Sequence, residues 1–147
     1  MKFHFLWVGK TKNEHLLALQ EEYLNRLSRF VRFEITELKE SKDKFEESKQ
    51  ILRVLNQKKF VVLLTEKGKQ LSSLELAQEI EKWQSLGIKE VTFVVGGAEG
   101  VTSEVAERVN FSLSLSVLTF THEMARVILI EQLYRAYTIM RGYPYQK

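Results

Sequence analysis

The stretch VTFVVGGAEG, Val91 to Gly100, decides the fold class of this chain, because a short apolar run ends there in a pair of glycines. The β-branched residues of VTFVV are typical of a strand buried on both faces, as in a parallel sheet covered by helices. Gly96 and Gly97 let backbone N–H groups approach another group closely, and ligands of open α/β sheets bind beyond the carboxyl ends of the strands. The stretch predicts either a small-molecule site or only a tight strand-to-helix turn, and by themselves these residues favour the turn.

Apolar runs alternate with amphipathic segments on both sides of this stretch. The predicted strands are 3–8, 33–38, 60–64, the one ending at Gly96, and 113–120. The predicted helices are 14–30, 45–56, one from a capping box at Ser72 and Glu75 to Gly87, 103–109 and 123–140, with a loop at 65–71. Because parallel neighbours need crossover connections, this alternation predicts an α/β fold with a mostly parallel sheet covered by helices.

The two ends of the last predicted helix carry further signals. Thr121 is a suitable N-cap, and apolar residues over 123–140 occupy more than one narrow stripe, which indicates burial on two sides. Beyond that helix, Pro144 predicts an extended tail over 141–147, outside the sheet. Such a tail is either a disordered end or a set of aromatic and basic groups for a nucleic acid.

Composition limits the function. The 147 residues suit one domain, 1–147, and the absence of cysteine excludes disulfides, thiolate zinc sites and cysteine nucleophiles. A net charge of +3 mildly favours a polyanionic partner. No secretory signal opens the chain and no apolar run is long enough to span a membrane, so we expect a soluble, cytoplasmic protein.

The three histidines lie in different contexts. His4 in a strand and His15 at a helix start are expected to be packed or solvent-facing. His122 stands at a strand-to-helix junction beside the glycine stretch, four residues before Arg126, so the two share a helix face and either a functional or a structural role remains open. No carboxylate or second histidine has ligand spacing around it, so we expect no metal.

Two charged sets on the last helix have contrasting interpretations. Glu131 and Arg135 are four residues apart, and we interpret them as a helix-supporting ion pair. Arg126 lies in the apolar run RVILI and needs a carboxylate, carbonyl or phosphate partner if it is buried. It is the charge we expect on the substrate side.

Several segments match one known family as a set: VVGGAEG, LSLSVLTF, THEMARVILIEQLYRAYTIMRG and the terminal PYQK. The opening FLWVGK and the segment VVLLTEKGKQLSS extend the match over nearly the whole chain. Together they closely resemble the RlmH family of SPOUT-superfamily methyltransferases. Members of that family methylate N3 of a pseudouridine in helix 69 of 23S ribosomal RNA on the assembled ribosome, using S-adenosylmethionine.

The resemblance implies a SPOUT-type fold whose carboxyl-terminal part forms a trefoil knot with the cofactor loops. It also implies which residues contact S-adenosylmethionine. These are Leu64, Gly96, Gly97, Leu115, Ser116, Val117, Leu118, Thr119 and Phe120. The residue pattern is compatible with this placement, because these segments end strands that would be neighbours.

The resemblance further implies a homodimer in which the tail of one subunit completes the site of the other. His122, Arg126 and Tyr145 are then the catalytic candidates, and either His122 or Tyr145 is the proton acceptor. The residues then expected to contact the substrate are Arg126, Arg141, Tyr143 and Lys147. The family tail commonly reads PYH before a basic residue, whereas this chain has Gln146, which cannot take a proton near neutrality.

Two other functions remain open at this level. A nucleotide-dependent oxidoreductase would use a doubly wound sheet, but the glycines follow a late strand and no acidic ribose reader stands at the expected spacing. A noncatalytic ribosome-binding module that retains the fold is the other alternative, and Gln146 gives it some weight.

Overall fold

The computed structural model describes residues 1–145 of the chain and contains five strands and five helices. In chain order these are β1 (Lys2–Val8), α1 (Glu14–Leu27), β2 (Arg32–Leu38), α2 (Lys44–Leu55), β3 (Val61–Gln70), α3 (Ser73–Ser85), β4 (Glu90–Val95), α4 (Ser103–Arg108), β5 (Phe111–Ser114) and α5 (His122–Arg141).

The strands form one sheet in the order β2-β1-β4-β3-β5, and every neighbouring pair is parallel. Each strand is followed by a helix that returns the chain to the same end of the sheet. The predicted α/β class and parallel sheet are therefore confirmed. The carboxyl ends of all five strands meet along one edge, where a site can assemble.

Helices cover both faces of the sheet. Phe3, Phe5 and Trp7 alternate along β1 with Leu6 and Val8, so the two sets point to opposite faces. The first set belongs to a core with α1, α3 and α5, and the second to a smaller core with α2 and α4. Helix α5 packs against both α1 and α3, which confirms the predicted burial on two sides.

Local capping signals fix the helix starts. The Ser72 hydroxyl accepts the N–H of Glu75, and the Glu75 carboxylate accepts the N–H of Ser72, so the predicted capping box is present. The Thr121 hydroxyl accepts the N–H of Met124 at the start of α5, as predicted. At the far end Gly142, with φ of +68°, closes α5 in the left-handed region.

The prediction of a loop at 65–71 is wrong, because β3 continues to Gln70. Its pairing with β5 shifts register between Leu64 and Lys69, which marks a bulge. Gly68 permits this pairing, since a Cβ placed there would lie 2.6 Å from the backbone carbonyl carbon of Ser112. The second half of β3 is therefore a polar, half-exposed strand and not the predicted loop.

The last strand is shorter than predicted. β5 ends at Ser114, and 115–121 is an irregular segment leading into α5. Val117 and Leu118 are 73% and 68% exposed. Apolar residues at these positions are typical of a strand, but no neighbouring strand pairs with them in the described chain. The prediction of a strand over 113–120 is therefore wrong beyond residue 114.

The tail lies outside the sheet, as predicted, but the part described is not extended. The N–H of Tyr145 donates to the carbonyl of Tyr143 at 2.9 Å, and the Tyr145 hydroxyl donates to Glu131 Oε2 on α5 at 2.8 Å. The ring of Tyr145 also meets Tyr134 edge-on, with centroids 4.7 Å apart. Residues 143–145 thus turn back onto α5, while Gln146 and Lys147 lie outside the described residues.

Across residues 1–145, none of the helices has both the length and the apolar character needed to cross a membrane.

Candidate functional site

A cavity of about 1120 Å³ opens at the carboxyl ends of β3, β4 and β5. Its size is that of a site for a cofactor-sized small molecule. Three chain segments that are distant in sequence converge on it: the bend in β3, the loop after β4 and the loop after β5. Its lining includes Leu64, Thr65, Glu66, Lys67, Gly96, Gly97, Ala98, Glu99, Gly100, Leu115, Ser116, Leu118, Thr119, Phe120 and His122.

The glycine loop, residues 96–102, forms one wall of this cavity. Gly100 has a φ of +78°, and its N–H donates to the carbonyl of Gly97 at 3.0 Å, which closes a tight turn. At the end of the loop the N–H of Thr102 donates to Ser48 Oγ at 3.1 Å. Gly96 and Gly97 are half-buried and present backbone rather than side chains to the cavity.

The post-β5 loop, residues 115–121, forms the opposite wall. Ser114 Oγ donates to the carbonyl of Ser116 at 2.9 Å, and the N–H of Leu118 donates to Ser116 Oγ at 3.0 Å. Thr119 Oγ1 donates to Glu66 Oε2 at 2.6 Å, which ties this loop to the bend in β3. Local hydrogen bonds therefore replace strand pairing in holding these residues against the cavity.

The structure brings together almost all of the residues expected at the cofactor. Leu64, Gly96, Gly97, Leu115, Ser116, Leu118, Thr119 and Phe120 line the same cavity. Val117 does not line it and points into solvent. The position of Val117 therefore does not support a contact between its side chain and the cofactor. A contact through its backbone stays a prediction.

His122 lines the same cavity and is half-buried as the first residue of α5. Its position follows from the cap at Thr121, which fixes where the helix begins. The neighbouring Glu123 accepts the N–H of Asn13 at 3.0 Å, so the start of α5 is also tied to the loop after β1. His4, by contrast, is packed inside the sheet, and His15 is exposed.

Arg126 does not line the cavity, although it stands one helical turn after His122. Its side chain is fully buried and donates to the carbonyl of Val8 at 2.6 Å and to Thr11 Oγ1 at 3.0 Å. The guanidinium also lies 4.8 Å from the centroid of the Trp7 ring. A carbonyl and a hydroxyl of the same chain accept from it, and its buried Nε has no hydrogen-bond partner among the described residues, so these contacts do not support the expected substrate-side charge.

The candidate residues of the tail lie away from the cavity of their own chain. Arg141 lies 5.6 Å from the ring centroid of Phe30, and the exposed Tyr143 packs beside the same ring. Tyr145 is held by Glu131, which also forms the predicted ion pair with Arg135 at 2.6 Å. Burial and the hydrogen bond to Glu131 raise the pKa of the Tyr145 hydroxyl. Lys147 lies outside the described residues.

The charged lining of the cavity includes residues that the sequence interpretation missed. Lys44 begins α2 and reaches the cavity. Glu66 and Lys67 lie on the bend in β3. The segment after the third strand was a usable signal for these two, because chain at the carboxyl end of a parallel strand is where ligands bind. Nothing local indicated Lys44.

The donor set suits an organic cofactor. Over residues 1–145 no three histidine, cysteine, aspartate or glutamate side chains form a group that could hold a metal ion. The walls instead offer apolar side chains and two glycines that present backbone groups to the cavity.

Comparison with known protein families gives one consistent result. A family model described as "Predicted SPOUT methyltransferase" matches residues 1–146. A protein of Geobacter metallireducens named ribosomal RNA large subunit methyltransferase H is 41% identical over 99% of this chain and 98% of its own length. A protein of the same name from Streptococcus pneumoniae is 38% identical over the full length of both chains.

Two solved structures share the fold at low sequence identity. A probable methylase family protein from Haemophilus influenzae superposes with a TM-score of 0.61 at 10% identity, covering 99% of this chain and 70% of that one. The SpoU methyltransferase AviRb from Streptomyces viridochromogenes, solved in complex with AdoMet, gives a TM-score of 0.50 at 7% identity and covers 95% and 61%. With the full-length match to the relatives above, this chain belongs to the ribosomal RNA large subunit methyltransferase H family of SPOUT methyltransferases.

Proposed function

We propose that this chain transfers a methyl group from S-adenosylmethionine to N3 of a pseudouridine in helix 69 of 23S ribosomal RNA on the assembled ribosome. The observation that carries the proposal is the convergence of the β3 bend, the glycine loop and the post-β5 loop on one cavity. Family membership gives the reaction class, and the cavity supports its assignment to this end of the sheet. The working location would be the cytoplasm, where ribosomes are assembled.

The residues of the cavity fit the methyl donor. Leu64, Leu115 and Phe120 are half-buried apolar side chains that suit an adenine ring. Gly96 and Gly97 expose backbone groups that suit its polar edge. When bound, S-adenosylmethionine would supply an electrophilic methyl group on a sulfonium centre, so no metal is required. The chain's own task is then to orient the target base and to remove one proton.

His122 is the best candidate for the proton acceptor. As N3 gains the methyl group it must lose its proton, and an imidazole that lines the cavity is a suitable base. Positioning alone contributes strongly, since good alignment of reacting groups is worth roughly 7 to 11 kcal/mol. Tyr145 is the second candidate, but here its proton is already donated to Glu131.

We further propose a homodimer in which the tail of one subunit reaches the cavity of the other. This would bring Arg141, Tyr143 and Lys147 to the RNA, the cations against phosphates and the tyrosine against an unstacked base. Arg126 is left out of this set because it is buried within its own subunit. We also propose that the carboxyl-terminal part of the chain forms a trefoil knot, as the family resemblance implies.

Mass spectrometry of ribosomal RNA tests substrate and reaction together. Cells that lack the gene should lose one methyl group from a pseudouridine of 23S ribosomal RNA, and the wild-type gene should restore it. A Gly97→Trp variant should not, because the indole would collide with Glu47 and displace the glycine loop that forms the cavity wall. An unchanged modification pattern in the cells lacking the gene would refute the proposal.

Calorimetry separates this function from the alternatives. The purified protein should release or absorb heat with S-adenosylmethionine and not with NADH, which the oxidoreductase hypothesis requires. Gln146 keeps a noncatalytic ribosome-binding module as the second candidate, because the tail lacks a titratable group at this position. That module would bind ribosomes but leave the methyl content of their RNA unchanged.

A further inference from the structure

The side chain of Glu47 is buried without a cation. Glu47 lies in the first turn of α2, is 6% exposed, and is the one carboxylate among the buried side chains of residues 1–145. Over the same residues no lysine, arginine or histidine forms an ion pair with it. A buried carboxyl group needs polar partners, so its position must be stabilised by other contacts.

One carboxylate oxygen of Glu47 is held by the backbone. The N–H of Ser41 donates to Glu47 Oε2 at 2.9 Å, and Asp43 fixes the turn between them by accepting the N–H of Phe45 at 2.9 Å. This arrangement leaves the side chain little freedom to rotate away without exposing an unpaired oxygen to a dry environment.

The other oxygen of Glu47 lies directly behind the glycine loop. A Cβ placed on Gly97 would come within 2.7 Å of Glu47 Oε1. Gly97 itself is not in the left-handed region, which among the glycines of the described chain is occupied by Gly9, Gly87, Gly100 and Gly142. Alanine is therefore compatible with the backbone at residue 97, and the space taken by Glu47 is what opposes a side chain there.

The next residue of α2 holds the other end of the same loop. Ser48 is buried, and its hydroxyl accepts the N–H of Thr102 at 3.1 Å. Two consecutive side chains of one helix thus contact the start and the end of residues 96–102. The loop depends on α2 for its shape, although α2 itself contributes only Lys44 to the cavity lining.

We propose that Glu47 is a positioning residue for the methyl-donor site. Its carboxylate fills the space behind Gly97 and, with Ser48, fixes the glycine loop in the shape that forms the cavity wall. This inference rests on the proposed function, since it takes the cavity as the site of the methyl donor. It adds that the donor affinity depends on a helix outside the loop, and that Gly97 and Glu47 constrain each other.

A double-mutant cycle tests this mutual constraint. Affinity for S-adenosylmethionine is measured by calorimetry for the wild type, Gly97→Ala, Glu47→Ala and the double variant. Gly97→Ala alone should weaken binding about tenfold or more, because the new Cβ displaces Glu47 or the loop. In the Glu47→Ala background the same change should cost about threefold or less, because the colliding oxygen is gone.

Two further variants distinguish positioning from a general loss of stability. Glu47→Gln keeps the shape and an acceptor for Ser41, and should keep donor affinity within about threefold of wild type. Glu46→Ala, on the neighbouring exposed residue of α2, should change nothing measurable. In methyl transfer to ribosomes, Glu47→Ala should raise KM for the donor much more than it lowers kcat, since Glu47 lies behind the loop.

The same variants identify a failure of either hypothesis. Equal losses from Gly97→Ala in both backgrounds would refute the role of Glu47 while leaving the proposed function intact. Absence of donor binding by the wild type would refute the proposed function. The constraint is then judged from the thermal midpoints of the four unliganded proteins, which must be nonadditive if Glu47 and Gly97 compete for space and additive if they do not.

Discussion

Arg126 owes its place to internal contacts that no spacing pattern could indicate. It joins α5 to the end of β1 through Val8 and to the following loop through Thr11, whose hydroxyl in turn donates to Gln20 at 2.7 Å. Burial lowers the pKa of Arg126 to about 10, so the group stays protonated at neutral pH. Its expected function is to fix the start of α5, and with it His122, relative to the sheet.

Replacement of Arg126 by alanine should therefore reduce stability. The change leaves the carbonyl of Val8 without its donor and opens a cavity against Trp7, so we expect a loss of about 2 to 4 kcal/mol in the free energy of unfolding. Urea denaturation measures it. Arg29→Ala, at an exposed position after α1, is the matched control and should change stability by less than about 0.5 kcal/mol. If the Arg126→Ala variant kept its stability but bound RNA more weakly, Arg126 would be a substrate contact instead.

His4 makes stability depend on pH. It is 2% exposed, its Nε2 lies 2.7 Å from Thr36 Oγ1, and its Nδ1 has no hydrogen-bond partner in the described chain. Burial, reinforced by Lys58 and Lys2 and opposed by Glu34 and Glu90, lowers the pKa of His4 below its ordinary value of 6.5.

The sign of the pH effect follows from this lowered pKa. Above 6.5 both folded and unfolded chains hold a neutral His4; as the pH falls below that value the unfolded chain binds a proton first, and stability is lost. We expect the free energy of unfolding to fall between about pH 7.5 and about pH 5.5, and to fall less in His4→Gln. His15→Gln, on the exposed start of α1, serves as control, and an identical decline in wild type and His4→Gln would contradict the assignment.

At the scale of elements, the pairing of β3 with β5 depends on Gly68. Gly68→Ala should destabilise the protein by about 2 kcal/mol or more, because the added Cβ would meet the backbone of Ser112 and Leu113, which cannot rotate away. Thermal and urea unfolding measure the effect. Lys67→Ala, on the adjacent exposed residue of the same strand, should be nearly neutral. Equal stability of both variants would mean that the strands separate easily there.

Elements with strong local signals were predictable, and those that depend on remote partners were not. The uninterrupted apolar run VVLL identifies β3 as a buried strand. The capping box at Ser72 identifies the start of α3 through hydrogen bonds within one turn. The second half of β3 is polar and contains Gly68, so only its pairing with residues more than 40 positions later makes it a strand. Conversely, the apolar side chains of Leu115, Leu118 and Phe120 line a cavity and do not belong to a paired strand.

The site was predictable in its location but not in all of its members. The glycine pair after a buried strand and the histidine at a helix start both indicated the correct edge of the sheet. The burial of Arg126 and the contact of Glu47 with Gly97 could not be anticipated, because each depends on side-chain directions set by packing between elements far apart in sequence.

At the scale of the whole molecule, the proposed homodimer with a shared site predicts complementation. A Gly97→Trp subunit lacks a usable cavity, and a subunit truncated after Gly142 lacks the tail, so each homodimer should be inactive in methyl transfer. Unfolded and refolded together in equal amounts, they should recover about a quarter of wild-type activity, since half of the dimers would contain one intact site. Native mass spectrometry counts the mixed dimers, and their presence without activity would contradict the shared site.

The hydrogen bonds from Arg126 to Val8 and from Asn13 to Glu123 join residues that are 118 and 110 positions apart. During synthesis, β1 therefore emerges long before the helix that completes its contacts. Until α5 leaves the exit tunnel, the aromatic face formed by Phe3, Phe5 and Trp7 has no final cover, and contacts of such long range form slowly. Nascent chains stalled before residue 122 should consequently be strong clients of chaperones that bind exposed aromatic surface.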